Sequence, residues 1–160
     1  TIAVGGTSGK STTTAMIFQI LEHAGLAPSI ISGAGLVRLQ QQGLIGNAWV
    51  GKGEWLVIEA DESDGSIVNY QPEIGLLLNL DKDHKEISEL QQLFATFKSN
   101  SRYFTVNASH PLAAPYSSDN TFDFSSTDAS AGFKAEHFVQ QGLSCSFTIN
   151  DVPFSMHSIG

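Results

Sequence analysis

A chain of 160 residues can bury one sizeable core, and a single domain is the expectation at that length. Hydrophobic residues make up 41% and charged residues 15%, with 15 glycines, a mixture that suits a compact α/β domain and excludes a disordered or coiled-coil chain. The formal net charge of -8 excludes a general basic surface for nucleic-acid phosphates or anionic membranes, so any polyanion has to be held locally.

The single Cys145 cannot form an internal disulfide, and no apolar run approaches the roughly 18 residues of a membrane span. A cytoplasmic setting is expected. The chain opens inside a strand-like run, without a basic leader or a small-residue cleavage site, and reads as a segment of something longer.

In chain order, strand-like runs alternate with helix-period segments through the first two thirds, as parallel βαβ units require. Residues 2–4 read as a strand and residues 11–24 as a helix, with Ile17, Ile20, Leu21 and Ala24 on one face and Gly25 as its stop. Residues 28–32 read as a second strand, and residues 33–53 as loop with short irregular pieces. Residues 55–60 and 74–80 are short and nearly continuously apolar, which fits strands covered on both faces.

Ser88 is placed to cap the next helix with Gln91 three residues on, and Leu90, Leu93, Phe94 and Phe97 form its face to about Asn100. Residues 103–106 return as a strand. Beyond an exposed connection at 117–130, residues 133–139, 143–149 and 153–157 read as a small antiparallel sheet, separated by Gln-Gly and Asn-Asp turns. The expected class is therefore α/β, with a P-loop-type, mainly parallel sheet flanked by helices and a small antiparallel sheet in the C-terminal part.

Gly5-Gly6-Thr7-Ser8-Gly9-Lys10-Ser11-Thr12 lies between the first strand and the first helix, where backbone N–H groups and the positive helix end converge. Glycines let the backbone approach phosphates, Lys10 can reach β and γ oxygens, and the Ser11 hydroxyl can bind Mg²⁺. Val4 stands where the strict P-loop pattern has its first glycine. What fits is a shorter form, Gly-Thr-x-Gly-Lys-Ser/Thr, which separates the chain from generic GTPases and transport ATPases.

Glu59 lies near the end of the 55–60 run and is followed by Asp61-Glu62-Ser63-Asp64. Carboxylates at the carboxyl edge of a parallel sheet can hold Mg²⁺ against phosphates, although an acidic loop by itself also reads as solvated surface. The 74–80 run ends at Asn79 and continues into Asp81-Lys82-Asp83-His84, where Asp83 could orient the His84 ring.

Gly6-Thr7-Ser8-Gly9-Lys10-Ser11-Thr12-Thr13-Thr14-Ala15-Met16, Glu59-Ala60-Asp61-Glu62-Ser63-Asp64 and Asn79-Leu80-Asp81-Lys82-Asp83-His84 together resemble the Mur ligase family, specifically its UDP-N-acetylmuramate:L-alanine ligase branch. Gly33-Ala34-Gly35-Leu36-Val37 is similar to that branch's substrate-side glycine segment. Thr121-Phe122-Asp123-Phe124-Ser125 is similar to its strand before the antiparallel part, so the likeness runs along nearly the whole chain.

The resemblance implies the central ATP-binding domain of an ATP-dependent carboxylate–amine ligase in peptidoglycan precursor synthesis. It assigns Gly6, Thr7, Ser8, Gly9, Lys10, Ser11, Thr12 and Asn79 to ATP, and Ser11, Glu59 and His84 to Mg²⁺. Lys10, Glu59 and His84 would carry catalysis, with Asp61, Glu62, Ser63 and Asp64 on the substrate side. It also implies a UDP-linked muramate-type carboxylate, an amino acid or peptide as second substrate, and N-terminal UDP-binding and C-terminal amino-acid-binding domains absent from this chain. Ser8 departs from the branch's usual histidine, Ser11 from threonine, and Lys85-Glu86 from its Met-Asp. Rival readings are a P-loop ATPase or kinase, a folylpolyglutamate- or cyanophycin-type ligase, and a non-catalytic nucleotide-binding module.

Overall fold

Four consecutive apolar or small residues, Ile2–Gly5, form β1, buried along its length as a strand with helices or loops on both faces must be. The computed structural model describes residues 1–82 and 85–157. The chain divides into two compact units, Thr1–Phe104 and Thr105–Gly160.

In the first unit β1 leads into α1 (Lys10–His23), followed by β2 (Ser29–Ile31), the five-residue α2 (Val37–Gln41), β3 (Ala48–Trp49) and β4 (Leu56–Glu59). Next come β5 (Ile74–Leu77) and α3 (Ile87–Asn100), then β6 (Tyr103–Val106), within which the boundary between the units falls. The strands order as β3-β2-β4-β1-β5-β6. β1 pairs in parallel with β4 and β5, and β2 in parallel with β4, while the two-residue β3 runs antiparallel to β2.

This order creates the crevice that the site uses. From β1 the chain crosses through α1 to β2, two places to one side, and later returns to put β5 on the other side. Ligands of open α/β sheets bind where strand order reverses in this way, outside the carboxyl ends. The register sets Val4 opposite Glu59 and Gly5 opposite Leu77, so the ends of β1, β4 and β5 lie level.

The expected face of the first helix needs correction. Thr14 and Phe18 are its buried residues, with Ala15, Ile17 and Leu21 packed around Ile30, Leu36, Leu39 and Val57. Ile20 is 64% exposed and Ala24 lies on the surface beyond the helix. At about 100° per residue, Ile20 points roughly 200° away from Phe18. The short α2 went unread because five residues are too few to show a period; Leu36 and Leu39 tie it into the same cluster.

The third helix also begins differently from expectation. Its N-cap is Glu86, whose carbonyl accepts from the N–H groups of Glu89 and Leu90, and Ser88 lies inside the first turn with no capping bond. The buried face is as expected: Leu90, Phe94 and Phe97 are buried, and the Phe97 ring meets Phe104 edge-on at 5.6 Å.

In the second unit β7 (Phe124–Ser125) pairs in parallel with β8 (Phe133–Gln141), followed antiparallel by β9 (Ser144–Ile149) and β10 (Val152–His157). Asn150 and Asp151 both have positive φ, 48° and 64°, as a two-residue hairpin turn matched to the strand twist requires. No helix among the described residues is long and apolar enough to cross a membrane.

Candidate functional site

The loop from Gly6 to Gly9 bends tightly between β1 and α1. Gly6 has φ +142°, and a Cβ there would lie 3.1 Å from Leu78 Cβ and 3.2 Å from Asn79 Oδ1, so the β5 end leaves room only for a glycine. Gly9 is the left-handed N-cap of α1. No side chain caps this helix and its first turn holds no acidic residue, so the positive helix end faces the loop unopposed.

Asn79 fastens the loop to the end of β5. Its Oδ1 accepts from the Thr7 hydroxyl and the Ser8 N–H, each at 2.9 Å, and its Nδ2 donates to the Ser8 carbonyl at 3.0 Å and the Ser8 hydroxyl at 3.1 Å. Thr7 Oγ1 in turn accepts from the Asp81 N–H at 3.0 Å. We expect Asn79→Ala to lower stability by about 1–2 kcal/mol and to weaken anion binding at the loop about tenfold, read by denaturant unfolding and nucleotide titration.

Lys10 folds back over the loop. Its Nζ donates to the Gly6 carbonyl at 2.8 Å and lies 3.3 Å and 3.0 Å from the two Glu62 oxygens. The pair is largely enclosed, with side-chain exposures of 13% for Lys10 and 7% for Glu62. Ser11 points to the neighbouring strand instead, its hydroxyl lying 2.9 Å and 3.1 Å from the Glu59 oxygens.

Glu59 is the best-anchored carboxylate of the site. Its Oε2 also accepts from the Gly33 N–H at 2.7 Å and from the Ser32 hydroxyl at 3.4 Å. A Cβ on Gly33 would come within 3.2 Å of both Glu59 oxygens, so a side chain there would push the carboxylate aside. Sequence reasoning passed over Ser32 and took Gly33 only as part of a substrate-side glycine segment, not as a partner of Glu59. The signal was the Gly33-Ala34-Gly35 run, whose first glycine permits this approach.

The remaining acidic-loop residues sit differently. Asp61 and Asp64 are exposed and brace turns, accepting from the Ser63 N–H at 2.9 Å and the Ser66 N–H at 2.8 Å. The Ser66 N–H, then its hydroxyl, hold the Asp64 carboxyl below the usual carboxylate range. Ser63 is exposed, as is Thr12 in the first turn of α1. Asp83 and His84 lie outside the described residues.

The site thus brings together an ammonium, a hydroxyl, a rigidly held carboxylate and a glycine loop at a helix start. Ser11 and Glu59 offer only oxygen, the donor chemistry a magnesium ion prefers, and their close approach fits one ion bound between them. Among the described residues no group of three or more His, Cys, Asp and Glu is placed to hold a metal.

The model of the Mur ligase middle domain matches residues 4–159. The chain belongs to the Mur ligase middle-domain family. A UDP-N-acetylmuramate–L-alanine ligase of Synechococcus sp. (strain RCC307) is 40% identical over 149 residues, which cover 90% of this chain and 30% of that protein. Among solved structures, the UDP-N-acetylmuramate–alanine ligase of Thermotoga maritima superposes with a TM-score of 0.83 at 22% identity, over 99% of this chain and 37% of that one. The MurF ligase of Thermotoga maritima in complex with ADP gives a TM-score of 0.66 at 17% identity, over 96% of this chain and 39% of that one. Both structural likenesses speak to the fold, and bear out the mainly parallel α/β sheet with its smaller second sheet. The chain spans 19–30% of the length of three curated relatives that it matches.

Proposed function

We propose that this chain is the ATP-binding central domain of a ligase that joins UDP-N-acetylmuramate to L-alanine in peptidoglycan precursor synthesis, in the cytoplasm. The observation that carries the proposal is the convergence of Lys10, Ser11 and Glu59 at the carboxyl ends of β1 and β4. The 40% identity to a ligase of that name supports the choice of substrates.

In this reading the ATP phosphates lie along residues 6–12, with N–H groups and the start of α1 facing their oxygens. Ser11 and Glu59 hold Mg²⁺, with His84 as the third ligand on the strength of the family resemblance. Magnesium supplies charge neutralisation at the phosphoryl oxygens. Lys10 adds a positive charge on the loop side, and Asn79 keeps the loop in shape. Asp61, Glu62, Ser63 and Asp64 border the approach of the carboxylate substrate.

The chemistry then needs no protein nucleophile. A carboxylate oxygen of the muramate attacks the γ-phosphorus and ADP leaves, which turns a poor electrophile into an acyl phosphate. The amine attacks that carbonyl, the tetrahedral intermediate expels inorganic phosphate, and the amine proton is lost. The domain's contribution is alignment and electrostatic stabilisation. UDP-binding and amino-acid-binding domains outside this chain complete the ligase.

The test is phosphate release by the complete protein, given ATP, Mg²⁺, UDP-N-acetylmuramate and single amino acids, then peptides. We expect release that depends on both the muramate and L-alanine. Release without any amine acceptor would make the protein an ATPase, and dependence on a peptide or a folate would place it in another branch of the fold.

A further inference from the structure

We propose that Glu62 is a built-in competitor of the nucleotide: its carboxylate occupies the Lys10 ammonium that the phosphates need, so binding requires Lys10 to exchange one anion for another. The inference rests on the reading of residues 6–12 as a nucleotide site.

An ammonium has three protons to donate. One goes to the Gly6 carbonyl at 2.8 Å, which keeps Lys10 folded over the loop, and the remaining side of the group faces the two Glu62 oxygens at 3.3 Å and 3.0 Å. A β- or γ-phosphoryl oxygen approaching Lys10 meets that same side of the ammonium and competes for its remaining donors. It cannot share them cheaply, because a carboxylate and a phosphate side by side repel, and the enclosure of the pair keeps water and salt from screening that repulsion.

The two carboxylates of the segment are held in different ways. Glu59 accepts directed hydrogen bonds from Ser11, Ser32 and Gly33. Glu62 has a single side-chain partner: its Oε1 accepts from Lys10 Nζ at 3.3 Å, while its Oε2, 3.0 Å from the same nitrogen, makes no aligned hydrogen bond among the described residues. It also sits in a turn that ends at Gly65, with φ +77°, rather than in the strand. Glu59 is built to stay in place, and Glu62 is built to yield.

A competitor and a positioning residue make opposite predictions for Glu62→Gln. The amide keeps the shape and one acceptor but drops the charge. Calorimetric titration of the complete protein with Mg²⁺-ADP and Mg²⁺-ATP should show the variant binding about tenfold more tightly than the parent, the size of one charge-assisted contact no longer surrendered. In turnover, KM for ATP should fall by a similar factor. Equal or weaker binding by Glu62→Gln overturns the proposal and makes Glu62 a residue that orients Lys10. Should that variant not fold, Glu62→Asp, whose shorter side chain draws the charge away from Lys10, decides by the same direction of change. Unaltered nucleotide binding in Lys10→Ala is a separate result, which overturns the nucleotide reading itself.

Discussion

Lys10→Ala is expected to reduce nucleotide affinity by at least about 10²-fold and kcat/KM by about 10³-fold, because in the proposed reading it removes the ammonium that would meet the phosphates as charge builds on them. The same change strands Glu62, which is 7% exposed and would be left beside an uncharged methyl group. Breaking one partner out of an enclosed pair costs about 3–5 kcal/mol, so the variant should also melt well below the parent. The two effects can be separated. Adding Glu62→Gln to Lys10→Ala removes the orphaned charge and should restore most of the stability, without restoring nucleotide binding. A thermal melt and a titration on the single and double variants check this, and a double variant that regains binding would remove Lys10 from the phosphate site.

Glu59→Gln should cost activity on the order of 10²-fold at fixed Mg²⁺, with partial recovery as Mg²⁺ is raised. Gln can still accept one hydrogen bond, but it carries no charge for the ion. Its amide nitrogen cannot face the Gly33 N–H, now 2.7 Å from Oε2, so it turns to the Ser11 hydroxyl, 3.1 Å from Oε1, and takes up a lone pair of that oxygen. A Mg²⁺ titration of turnover reads the result. An activation curve that matches the parent in both midpoint and height would show that Glu59 serves only to pin the 32–33 segment. The contrast with Glu62 is informative, since loss of charge three residues further along should tighten nucleotide binding instead of weakening the response to metal.

Much of the fold is readable from local pattern. The runs that became β1, β4 and β5 stand out because both faces of a central parallel strand demand apolar residues, and the hairpins of the second unit because their turns need left-handed residues at fixed places. Where the pattern was short or crowded it failed. A five-residue helix leaves no period, and α1 carries so many small and apolar residues that its inward face could not be chosen without knowing that β2, α2 and β4 lie on one side of it. The start of α3 lies two residues before the expected one because Ser88 is a good cap in isolation, whereas the structure begins the helix from Glu86 with no side-chain cap.

By itself the sequence determined the glycine loop, its position after the first strand and the presence of acidic and amide groups at two later strand ends, since each follows from residue types within a few positions of one another. Only the tertiary structure decided which of those groups meet. Asn79 reaches Ser8 across 71 residues, Glu62 reaches Lys10 across 52, and Glu59 is held by Ser11 and Gly33 across 48 and 26. Two glutamates that look interchangeable in Glu59-Ala60-Asp61-Glu62 take opposite parts because the first ends a strand beside the loop and the second lies in the turn beyond it. The backbone direction at that boundary, which the order of strands imposes, sends one carboxylate to the hydroxyl and the other to the ammonium.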